Sequence, residues 1–74
     1  MDTLFKTDIN VEGKNIGYEV SFHDDYYYFK ALNNEGKNFK IQREEDEWHT
    51  KDAIDETTKS LATDALDKYL LAQH

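Results

Sequence analysis

Seventy-four residues with a formal net charge of −7 allow one small domain, spanning 1–74. A chain of this length buries only about 60% of its unfolded surface, so its stability margin is thin. It has no cysteine to make a disulfide, no apolar run near the ~20 residues of a membrane-spanning helix, and no basic-then-apolar leader in Met1–Lys6. These features describe a soluble, cytoplasmic domain. Its aromatic content of 14% supplies the area from which a short chain can build a core.

Four stretches alternate with period two, the mark of half-buried strands. In the first, Phe5, Thr7, Ile9 and Val11 oppose Lys6, Asp8, Asn10 and Glu12. Glu12-Gly13-Lys14-Asn15 then reads as a hairpin turn. In the second, Ile16, Tyr18, Val20 and Phe22 oppose Glu19 and Ser21, and His23-Asp24-Asp25 is a tight loop. In the third, Tyr27, Phe29 and Ala31 oppose Tyr26, Tyr28 and Lys30. Asn33-Asn34-Glu35-Gly36 is the strongest turn signal, with Gly36 free to take positive φ. In the fourth, Phe39 and Ile41 oppose Lys40 and Gln42. Short connections make neighbouring strands antiparallel, a meander.

From Ala53 the period changes to 3.6. Ile54, Thr58, Leu61, Ala62, Ala65, Leu66 and Tyr69 share one arc of a helical wheel, with Asp52 as N-cap and Asp55 and Glu56 in the first turn. Leu70 and Leu71 lie off that stripe. The fold class is therefore α+β: a four-stranded antiparallel meander with one C-terminal helix on one face. That helix covers the face holding Phe5, Ile9, Val11, Ile16, Tyr18, Val20, Phe22, Tyr27, Phe29, Phe39 and Ile41. The other face is left open or is covered by a partner.

No catalytic constellation stands out. Ser21 and His23 share a strand face but lack a third member and a nucleophile elbow, and His74 is terminal. His23-Asp24-Asp25 and the Glu44–Glu47 run near His49 do not match a calcium loop, so no metal and no cofactor is expected. The reading is of a non-enzymatic protein.

Two surface features remain. The span 44–56 has seven carboxylates (Glu44, Glu45, Asp46, Glu47, Asp52, Asp55, Glu56) against Lys51, net −6, which places nearly all the charge at a strand-to-helix connection. It reads first as a solubilising loop, and second as an acidic patch with Trp48 as anchor. Trp48 itself reads better as folding under to cap the core. The open face presents Tyr26, Tyr28, Lys30, Lys40 and Gln42, and residues 26–43 carry net +3. Four strands followed by a helix resemble, in element order, the Pur-like single-strand nucleic-acid binders, which implies an alternative function using Tyr26, Tyr28, Lys30, Lys40 and Arg43. The overall acidity weighs against a nucleic-acid ligand. The expectation is a protein-interaction module binding a protein partner or a second copy, through Tyr26, Tyr28 and Lys30 or through Glu44, Glu45, Asp46, Glu47 and Trp48.

Overall fold

The computed structural model describes residues 3–34 and 36–72. Five strands, β1 (Thr3–Val11), β2 (Lys14–His23), β3 (Tyr26–Ala31), β4 (Phe39–Glu44) and β5 (Glu47–His49), precede one helix, α1 (Glu56–Ala72). The strands form one antiparallel sheet in chain order, β1-β2-β3-β4-β5. The α+β meander is as the sequence implies, with one more strand. The fifth strand comes from the acidic run, which turns back on itself instead of leading to the helix.

Three two-residue turns set this topology. Glu12-Gly13, Asp24-Asp25 and Glu45-Asp46 all have positive φ at both positions (52 and 83°, 51 and 69°, 51 and 67°). That backbone matches the right-handed twist of the strands it joins. Gly13 takes it at little cost; the five acidic residues take it against the usual preference of L-residues. The first turn is thus narrower than a four-residue loop, because Lys14 and Asn15 already pair with Val11 and Asn10. The acidic residues stay exposed at the tips, where their charges are hydrated.

The alternating pattern delivers the faces it implies. Ile9, Ile16, Tyr18, Val20, Phe29, Phe39 and Ile41 are buried with Ala62 and Leu66. Phe29 and Phe39 stack directly, with ring centres 4.8 Å apart, and Tyr18 meets both edge-on. Burial pushes the Tyr18 phenol above its ordinary pKa, and its hydroxyl donates to the Lys37 carbonyl at 3.0 Å. Gly36 sits over this corner: a Cβ there would lie 2.7 Å from both the Ala31 Cβ and the Ile16 Cγ2. Close approach, then, is what this position requires of glycine.

Two apolar expectations are corrected. Phe22 lies on the core side but is 46% exposed, because it stands at the β2–β3 turn, where the Tyr27 ring packs beside it with ring centres 4.8 Å apart. Leu61 is 37% exposed, because α1 seats the row Thr58, Ala62 and Leu66 on the sheet and turns Leu61 to the rim. Phe5 stacks on Tyr69 at 4.6 Å and joins β1 to the last turns of the helix.

The helix begins three residues later than the apolar period. Asp55, not Asp52, caps it: its Oδ1 accepts from the Thr58 backbone N–H at 3.1 Å, and hydrogen bonding from the Thr58 side chain, then from its backbone, holds the exposed carboxyl below the ordinary carboxylate pKa. Asp52 is used elsewhere, accepting from the Lys40 backbone N–H at 2.8 Å. Leu66→Ala should cost about 2–5 kcal/mol in urea unfolding, by loss of a fully buried side chain. Leu71→Ala, at a side chain 73% exposed, should stay within about 0.5 kcal/mol.

Candidate functional site: the open sheet face

With α1 on one side, the other side of the sheet is a surface ordered by strand register. One rung runs Thr3, Ser21, Tyr28, Lys40 and the next His23, Tyr26, Gln42, His49. A third runs Lys6, Glu19, Lys30. Tyr26, Tyr28 and Lys30 therefore fall on one surface, as their parity implies. Tyr26 and Tyr28 are half-buried and Lys30 is exposed.

Register explains how the two tyrosines are held. Lys40 lies directly opposite Tyr28 and diagonal to Tyr26, so its four-carbon stem reaches across both. Its Nζ is 4.8 Å from the Tyr26 ring centre and 5.9 Å from that of Tyr28. The rings are 6.3 Å apart and tilted by 59°. One ammonium thus orders two aromatic side chains that no helix covers. Beside them is an open hollow of about 390 Å³, lined by Ser21, Tyr28, Lys30, Asn38, Lys40 and Asp52. Thr3 Oγ1 donates to Glu19, which also separates Lys6 from Lys30.

The acidic run is arranged differently from the patch the sequence suggests. Glu44 and Glu47 face one another across the β4–β5 hairpin, and Glu45 and Asp46 form its tip. Trp48 pairs with Arg43 and points to the helix side. Its indole N–H donates to Asp67 at 3.3 Å, its ring meets Tyr27 edge-on at 5.8 Å, and the Arg43 guanidinium lies 4.9 Å over it. Arg43 also donates to the same Asp67 oxygen at 3.3 Å. Trp48 caps the end of the core, and the hairpin has no aromatic anchor on its exposed side. Arg43, counted with the nucleic-acid surface, is on the opposite face from Tyr26 and Tyr28.

Ser21 and His23 share the open face, one rung apart. His23 lies 3.1 Å from Asp24 and His49 3.7 Å from Glu47, both exposed pairs. Among the described residues, no three His, Asp or Glu side chains converge as a metal site, and no helix is long and apolar enough to cross a membrane. Glu35 and His74, considered from sequence, lie outside the described residues. Sequence reasoning missed Lys40 as the organiser of the tyrosine pair; the signal was its place four positions after Gly36, which fixes it opposite Tyr28 once the β3–β4 register is known.

No protein-family model matches this chain, and no curated protein and no solved structure matches it either.

Lys40→Met keeps the stem and removes the ammonium. Urea unfolding should show a loss of no more than about 1 kcal/mol, the size of an exposed cation–π contact. A larger loss would mean that Lys40 chiefly holds the fold together.

Proposed function

We propose that this chain is a non-enzymatic protein-interaction module whose docking surface is the open sheet face. The observation that carries the reading is the Tyr26–Tyr28 pair spanned by Lys40 on a face that α1 leaves uncovered. Tyrosines held in place lose little conformational freedom on binding, and they contribute heavily to protein interfaces. Lys30 and Lys40 border the adjoining hollow and favour a partner that presents carboxylates there. Docking at the acidic hairpin is less well supported, because Trp48 is engaged by Asp67, Tyr27 and Arg43 on the helix side.

A single-stranded nucleic acid would use the same rings for stacking. Three features oppose it. Glu44 and Glu47 lie on the open face beside the tyrosine rungs, Arg43 lies on the other side, and the whole chain carries −7.

The test compares the wild-type chain with a Tyr26→Ala/Tyr28→Ala variant, each immobilised and exposed to extract of the source cells, with labelled oligonucleotide titrated in parallel at low salt. A protein retained by the wild type and lost by the variant, with unchanged helical circular dichroism and no oligonucleotide binding, supports the reading. Retention by both chains, or salt-sensitive oligonucleotide binding that the double substitution abolishes, contradicts it.

A further inference from the structure

The two outer edges of the sheet are finished in different ways. On the β4–β5 side, β5 has only three residues, and beyond it the Lys40 backbone is satisfied by side chains. Its N–H donates to Asp52 at 2.8 Å, and its carbonyl accepts from the Thr50 hydroxyl at 2.7 Å. That side leaves the three residues of β5 as its outer edge. The opposite edge is the nine-residue β1, which among the described residues pairs on one side only, with β2.

Register shows which β1 groups face outward. The Gly17 carbonyl accepts from Leu32 at 2.9 Å, so the backbone of Gly17 faces β3. Asp8, opposite Gly17, is therefore in a non-hydrogen-bonded pair and directs its own N–H and C=O away from β2. Lys6 and Asn10, two residues to either side, do the same. The two-residue turn at Glu12-Gly13 gives the same alternation, since its flanking pair Val11 and Lys14 is the bonded one. An incoming strand would bond to Lys6, Asp8 and Asn10.

Charge selects the strand. An edge lysine ordinarily deters self-pairing, because in a symmetric register it meets its own copy. Here Lys6 and Asp8 are two apart, on the same face, with Thr7 between them. Placing Thr7 on a two-fold axis sets Lys6 of each copy against Asp8 of the other, and both are residues whose backbone groups point outward. Moving the axis to Lys6 or to Asp8 sets like charges opposite each other. The Thr7 register also extends an alternation already in the sheet: Lys30, Glu19 and Lys6 continue into Asp8 of the second copy. On the helix side the same register sets half-buried Phe5 of one copy opposite Ile9 of the other.

We propose that β1 pairs antiparallel with β1 of a second copy about Thr7, joining the five strands of each into one continuous sheet. The irregularity between Thr3 and Phe5 lies at the end of the paired run and limits it to the segment around residues 5–9. The axis stands perpendicular to the sheet, so both helices lie on one side. The two tyrosine faces lie together on the other, and the proposal stands whether or not those faces dock a partner.

Sedimentation equilibrium of the wild type, Lys6→Glu, Asp8→Lys and the Lys6→Glu/Asp8→Lys double variant tests this. Each single reversal creates two like-charge rungs and should weaken self-association by about tenfold or more. The double variant restores opposite charges and should regain nearly the wild-type constant. Lys6→Glu also opposes Glu19 within its own sheet, so Asp8→Lys, which leaves that rung intact, is the cleaner single variant. A wild type that stays monomeric at about 1 mM overturns the proposal. So does a dimer indifferent to Asp8→Lys, or a double variant no tighter than its parents.

Discussion

A five-stranded sheet has two faces, and α1 is the one helix the described residues provide to cover them. That imbalance governs the rest of the molecule. A face that is covered can be filled with apolar residues; a face that is not must be polar, or must hold its aromatics by other means. The covered face concentrates Ile9, Ile16, Tyr18, Val20, Phe29, Phe39 and Ile41 under Ala62 and Leu66. The uncovered face carries charge in alternating rungs, and its tyrosines are steadied by Lys40. At about 25 cal/mol per Å² of apolar area, the covered side supplies most of what holds so small a chain folded. The open side is correspondingly free to vary for reasons other than stability.

The turns explain how the sheet reaches five strands in under fifty residues. Two-residue turns consume almost no chain, and every one of the three joins strands adjacent in sequence. Two of them are built from acidic pairs held at positive φ without a glycine. Short polar side chains such as Asp tolerate this region better than most, and fully exposed tips keep the charges hydrated. Much of the net negative charge therefore sits on hairpin tips and on the β5–α1 connection. The hairpin tip is also where the Arg43–Trp48–Asp67 cluster fastens the end of the sheet to the helix, so one short element both carries the charge and closes the core.

Much of this was legible in the sequence because period-two alternation depends on side-chain type alone. The facing of β1 to β4, and the shared surface of Tyr26, Tyr28 and Lys30, followed from it. What was not legible depended on competition between local partners. Glu45-Asp46 lacks the glycine or asparagine that announces a hairpin, and three-residue β5 is too short to show a period. A run of four acids accordingly read as connection. Asp52 and Asp55 are both good caps, and the choice fell to Asp55 because Asp52 was claimed by the β4 edge. Phe22 and Leu61 carried the right periodicity but lie at the rim, and periodicity contains no information about where a layer ends. Trp48 reads from sequence as a cap on the core, and it is one, enclosed by Arg43 and Asp67 on the helix side.

One face of this sheet is closed under α1, and the other is open and carries Tyr26 and Tyr28. Tyrosine nitration under native conditions, mapped by mass spectrometry, tests it most directly. Tyr26 and Tyr28 should be modified readily while Tyr18, buried and bonded to the Lys37 carbonyl, is protected until the chain unfolds. Modification of Tyr18 at the rate of Tyr26 and Tyr28 in the folded protein would contradict it.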